Sequence, residues 1–193
     1  LKASQDLPNM GFVCTYDQQV NWYHPQKKVE AGERIARWAL ATQYGLNLGW
    51  EPAFCVGVER LKDKIIVTFN KEVKSSDDRT IEGFSISGSN HHFFPAKAAY
   101  VIKQNEKGRS IVDKKRIQIT NNQIVNPVQV RYAWARNPLG NLVNADNPII
   151  PVPLFRSDTW DYKANLKIMQ KQAQEMAVNR IIREAEIILK ERK

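Results

Sequence analysis

Cysteine and histidine are scarce in this chain, and so are the spacings that give them chemistry. Two cysteines, Cys14 and Cys55, stand among 193 residues. They form no C-x-x-C pair, so a metal site and a disulfide framework are excluded. A single bridge between them, or two inert buried thiols, are the readings left. Histidine occurs three times, as His24 and the neighbours His91 and His92. Adjacent residues on a strand point to opposite faces, so that pair cannot chelate together and is expected on an exposed loop. No metal and no cofactor is expected. No apolar run approaches the ~18 residues that a membrane helix needs. The opening LKASQDLPNMGF has neither the basic start nor the apolar stretch of a signal peptide. It also does not start with Met, which leads us to expect a fragment or a processed subunit. A serine in a nucleophile's setting is missing too. Residues 83–87, GFSIS, approach G-x-S-x-G but end in Ser. They fall in an alternating strand pattern, where Ser85 is a surface hydroxyl, and not in a strand–turn–helix elbow. Gly-Asp-Ser does not occur.

What remains is ordinary for a globular protein: 42% apolar and 25% charged residues. A chain of this length buries roughly 70% of its unfolded surface, which allows a full core. The net charge of +9 raises the question of a polyanion partner. The basic residues are spread along the chain, however, and the densest runs, Lys27-Lys28 and Lys114-Lys115-Arg116, are short. Neither a nucleic-acid nor a membrane partner is expected. Polyanion binding stays as a weaker reading, whose mark is a steep loss of affinity with salt.

Three regions follow one another. Residues 1–48 read as α/β. An apolar, β-prone run at 12–16 suits a buried strand, a polar loop follows at 17–23, and a helix is expected over 26–44. Pro25 is pre-set for the helix start. Ala31, Ile35, Trp38 and Ala39 share one helix face, and Gly45 suits the left-handed turn that ends helices. Residues 49–160 read as an antiparallel β-sandwich. Its expected strands lie at 64–69, 84–87, 99–102, 116–120 and 128–134, the last with Val128, Val130, Tyr132 and Trp134 on one face. Turn signals separate them at Lys107-Gly108, Asn121-Asn122, Asn137-Pro138 and Gly140-Asn141. Residues 161–193 read as one long charged helix. Its apolar stripe runs through Leu166, Met169, Ala173, Met176 and Ala177, then passes to Ile181, Ala185 and Ile188. Such a helix either packs on its own domain or pairs with another chain as an oligomer contact.

His24 follows a strand and a loop and precedes a helix. In open α/β sheets ligands collect at that edge, beyond the carboxyl ends of the strands. The motifs around it are Gln5, Pro8, Asp17, His24-Pro25, Lys28, Gly32, Arg34, Ala36, Ala39-Leu40 and Tyr44-Gly45. A second block holds Arg131-Tyr132-Ala133-Trp134, Asn141-Leu142, Asn144, Pro153 and Phe155-Arg156-Ser157-Asp158. Gly83-Phe84 and the stretch around Ala96 and Ala98 lie between. In this order the two blocks resemble the closing part of sialate O-acetylesterase-like enzymes of the SGNH hydrolase superfamily, over about residues 3–160.

The resemblance implies a serine carbohydrate esterase that removes O-acetyl groups from sialic acid or another acetylated glycan. His24 takes the position of the base that accepts the serine proton. The family's serine and oxyanion hole lie far upstream. They are therefore expected on an upstream segment or partner chain, and the chain alone is expected to be inactive. The acid such enzymes place three residues before the histidine is here Asn21, which carries no charge. Asp17 is the nearest upstream carboxylate and either orients His24 or caps the loop. Trp22 and Tyr23 flank the histidine, to stack on a sugar or to pack the loop. Lys28 and Arg34 are expected as helix-surface or structural charges. A secreted, periplasmic or lysosomal location follows from family habit. Two other readings stay open: a non-enzymatic glycan-binding or bracing β module, and a degenerate, catalytically weak homologue.

Overall fold

Isoleucine, valine and phenylalanine at every second position build the centre of this fold. In the strand Ile65–Phe69, Ile65 and Val67 are fully buried and Phe69 is nearly so. Across from them Ile117 and Ile119 are also fully buried, in the registers Val67↔Ile117 and Ile65↔Ile119. Such cross-strand apolar pairs are the unit that stabilises a sheet. The computed structural model describes residues 4, 6–7, 9–18, 28–160 and 162–191, and the statements below concern these.

The elements in chain order are α1 (Lys28–Thr42), β1 (Cys55–Arg60), β2 (Ile65–Phe69), β3 (Val73–Ser75), β4 (Phe84–Ser87), β5 (Phe93–Pro95), β6 (Lys97–Gln104), β7 (Ser110–Thr120), β8 (Gln129–Tyr132), β9 (Leu142–Asn144), β10 (Phe155–Arg156) and α2 (Tyr162–Glu191). One four-stranded sheet has the order β1-β2-β7-β6, a second has β10-β8-β4-β5, and β3 pairs with β9. All the pairings are antiparallel. Phe84, Ile86, Val130 and Tyr132 from the second sheet join Val73, Leu142 and Val152 and the β2/β7 residues in one core cluster. A fully buried side chain of this kind contributes about 1.5–3 kcal/mol over its exposed state. The β6/β7 hairpin runs past this core. Its outer half is exposed, and a register shift at Tyr100/Val101 marks the point of departure.

Each expected strand of the β region has an observed counterpart, and the chain mixes helix with mainly antiparallel sheet. Four expectations need correction. Residues 12–16 form no strand, because among the described residues no neighbouring strand offers them a ladder. On α1 the buried residue is Arg34, whereas Ile35 is 52% exposed. The helix has turned an ionic side chain inward because backbone carbonyls and Asp17 meet it there. Trp134 does not continue the buried face of β8. Ala133 takes a positive φ of 50°, the strand alternation stops, and Trp134 is left 44% exposed. Finally, α2 is a helix as expected, but its apolar stripe is not buried: its described side chains Leu166, Met176, Val178, Ile181 and Ile182 are exposed.

One contact ties α1 to the segment before it, and another ties that segment to the β region. Trp38 of α1 lies so close over Gly11 that any side chain there would collide with the indole. The Tyr16 hydroxyl donates to Val152 O at 3.0 Å, which uses its one proton. Tyr132, 3.1 Å away, must therefore donate to Tyr16, and it accepts from Leu142 N at 2.7 Å. Burial pushes both phenol pKa values well above their usual range, so the pair stays neutral. Gly45, with φ 70°, ends α1 as expected.

Candidate functional site

Arg34 organises the N-terminal segment. It is 5% exposed and spends its guanidinium on three separate partners. Nε donates to Ile149 O at 2.6 Å, and Nη1 donates to Cys14 O. Nη1 and Nη2 together hold the two carboxylate oxygens of Asp17, at 2.8 and 2.5 Å. A planar fork matched to a carboxylate is the geometry for which arginine is suited and lysine is not. The clamp joins Cys14 and Asp17 to α1 and to the β region. Gln18 is also buried, and its Nε2 has no partner among the described residues.

His24, Asn21, Trp22 and Tyr23 lie outside the described residues. Of the expected catalytic set, Asp17 is described, and it meets Arg34. Lys28 opens α1 with an exposed side chain, while Arg34 is the structural charge of the pair. Arg34 carried one readable signal, an ionic residue at the four-residue step between the half-buried Glu30 and Trp38.

The other nucleophile candidates are poorly placed. Cys14 and Cys55 are unpaired. Burial raises the Cys14 thiol pKa and pushes Cys55 up to about 11, so neither offers a thiolate near neutral pH. Ser87 is fully buried and donates to Gly88 O at 2.6 Å. Ser85 sits within β4, opposite Arg131. His91 and His92 precede β5 in a loop but are half-buried, contrary to the exposure expected of them. His91, with φ 65°, stacks on Trp160 at 3.5 Å between centroids, and an aromatic face shields it from water. No group of metal-ligating residues occurs among the described residues, nor any helix long and apolar enough to cross a membrane.

A second arginine–carboxylate fork lies beside that stack. Arg131 Nε and Nη2 hold Asp158 at 2.7 and 2.9 Å, and the same guanidinium lies 3.8 Å from the Phe93 ring centroid. Burial of Asp158 by itself favours the protonated form. The hydrogen bonds and charge of Arg131, with Arg156 behind it, outweigh that and lower its pKa. This pair fastens the start of the chain's last segment to β8 and is not a proton-transfer site.

The chain matches no protein-family model and no curated protein. Among solved structures it superposes on a carbohydrate acetylesterase from Xanthomonas citri with a TM-score of 0.60 and 29% sequence identity. The chain is similar to a carbohydrate esterase. The likeness covers 71% of this chain and 29% of the Xanthomonas chain, so this chain spans less than a third of that protein's length. The two motif blocks of the sequence suggested an esterase, and the similarity agrees at that level.

Sequence reasoning passed over one more feature, a groove beside Gly83, Phe93, Lys97 and Trp134. It was hidden because it depends on a positive φ at Ala133 that no pattern of residue types announces.

Proposed function

We propose that this chain is part of a serine carbohydrate acetylesterase and contributes the catalytic base, His24, to a serine outside these residues. The observation that carries the reading is the 29% identity to a carbohydrate acetylesterase over 71% of the chain. In the reaction the serine oxygen attacks the acetyl carbonyl and His24 takes the hydroxyl proton. The tetrahedral intermediate collapses, His24 returns the proton to the leaving sugar oxygen, and acetyl-serine remains. Water then attacks with His24 again as base, and acetate leaves.

The same reading gives the upstream part an SGNH fold and the region 49–160 a β-sandwich, a description that its two antiparallel sheets over a common core support. Asp17 lies upstream of His24 in the sequence, but its carboxylate is already held by Arg34. A backbone carbonyl or Asn21 therefore takes a larger share in orienting the imidazole than in enzymes with an acid at that position. Sialic acid is the finer substrate proposal, from the motif resemblance. The test is acetate release by the complete protein from an aryl acetate and from O-acetylated sialic acid. Release from both supports the full reading, and release from the aryl ester alone keeps the esterase and rejects the sugar. Release from neither rejects the esterase reading. One observation favours a second reading, a glycan-binding module without catalysis: the core and groove of the β region are formed by residues that need no catalytic partner.

A further inference from the structure

Gly83 and Gly140 bring two backbone segments into direct contact. A Cβ on Gly83 would stand 2.5 Å from Gly140 Cα, and Gly83 takes a φ of 95° that only glycine adopts freely. Ala133 N donates to Gly83 O at 2.9 Å, and Ala133, 3% exposed, pays strain for its own positive φ. Together these fix the start and end of the loop 133–140 on the edge of β4 and leave its middle outward. A groove of about 560 Å³ lies between this loop and the segments 80–85 and 93–97. That volume is within the range of small-ligand sites, which are generally preformed and mostly apolar.

The lining suits one kind of ligand. Trp134 is 44% and Leu139 70% exposed, with Pro138 beside them. One face of the Trp134 ring carries the Arg156 guanidinium, 5.0 Å from the centroid, which holds the indole in place. Glu82 and Lys97 are the ionisable lining residues, one of each sign, and Arg156 is paired with Asp158, so these charges offset one another. Thr80, Ser85 and Asn137 add neutral hydrogen-bonding groups. Apolar faces combined with neutral donors and acceptors are the complement of a pyranose, whose ring presents C–H bonds on its faces and hydroxyls at its rim.

We propose that this groove is a binding site for a neutral oligosaccharide, with Trp134 as its stacking platform. The proposal deepens the carbohydrate reading above and rests on it for the choice of saccharide. Its role is to hold the polymer while ester groups are removed elsewhere on it.

Calorimetric titration of the 193-residue chain tests it, with cellohexaose, xylohexaose and mannohexaose as probes and an alternating leucine–alanine hexapeptide as the competing occupant. At least one hexaose is expected to bind saturably. Trp134→Ala should weaken that binding by ~10-fold or more, the size of a lost aromatic contact. Leu139→Ala should weaken it by less, and both exposed sites should leave the thermal midpoint unchanged. If Trp134→Ala fails to fold, loss of affinity in Leu139→Ala carries the proposal and unchanged affinity overturns it. Binding of no hexaose overturns it as well, as does full affinity in a folded Trp134→Ala chain or binding of the peptide alone. Binding by this chain requires no turnover, so an inactive complete protein would defeat the esterase reading and leave this result standing.

Discussion

His24→Ala in the complete protein is expected to lower kcat on an aryl acetate by ~10⁴-fold or more, with KM nearly unchanged. The imidazole acts twice in each turnover, as base and then as acid, and members of a serine triad act as a unit, so loss of the base costs nearly as much as loss of the whole set. An aryl acetate has a good leaving group, so the acid role matters less there than for a sugar ester. The deficit should therefore be larger on an acetylated glycan. The pH profile adds a second readout. Activity of the unaltered protein should rise through the pKa of a histidine, near ~6.5 when unperturbed, and that limb should be missing from the residual activity of His24→Ala. Asn21→Asp bears on the weak-base reading. If asparagine at that position limits turnover, a carboxylate there should raise kcat. An unchanged kcat would assign the orientation of His24 to another group.

Arg34→Met should be the most destabilising single change in the N-terminal segment. It leaves Asp17 without a counter-ion and strips donors from Cys14 O and Ile149 O. Breaking a buried ion pair from one side costs about 3–5 kcal/mol, because the remaining groups lose solvation without compensation. For a chain of this size that corresponds to roughly 6–20 °C in the thermal midpoint. The two sides of the pair are unequal. Arg34 is 5% exposed and Asp17 30% exposed at the side chain, so the carboxylate can recover water where the guanidinium cannot. Asp17→Asn strands the buried guanidinium without its counter-ion, so its cost should approach that of Arg34→Met, and Arg34→Lys should cost less than either, since an ammonium keeps the charge and loses only the fork. Thermal denaturation of the three variants settles the order. A small loss for Asp17→Asn beside a large one for Arg34→Met would mean that the bonds to Cys14 O and Ile149 O carry the clamp and its charge pairing contributes little.

Strand periodicity was legible wherever a run was long enough to show it. Ile65–Phe69 and Phe84–Ser87 alternate or fill with β-branched residues, and tertiary structure agrees with them. The strands that escaped are short or interrupted: Phe93–Pro95 ends in proline, Leu142–Asn144 has three residues and Cys55–Arg60 contains a glycine. A period of two needs four or more residues to be seen. The pairing of Val73 with Asn144 is a fact of long-range packing, to which local pattern is blind. Residues 12–16 show the converse error. Their composition is that of a strand, but a strand exists only with a partner. Ile35 and Arg34 exchanged places for a related reason: helical spacing locates a face to within a residue, and carbonyls waiting on the other side decide which residue turns inward. Trp134 was misplaced by a single backbone angle at Ala133. Of the candidate site, His24 was expected between a strand and a helix; the helix is observed and the strand is not, and the proposed role of His24 came from the motif resemblance around it. Asp17 was legible as a carboxylate, but its partner across seventeen positions was not.

The central claim is that an imidazole from this chain activates a serine outside it. Labelling of the complete protein with a fluorophosphonate, followed by peptide mapping, tests that most directly. The expected result is one modified serine outside residues 1–193, with labelling strongly slowed in His24→Ala. Modification of Ser85, Ser87 or any other serine of these residues, or acetate release with no serine labelled, would contradict it.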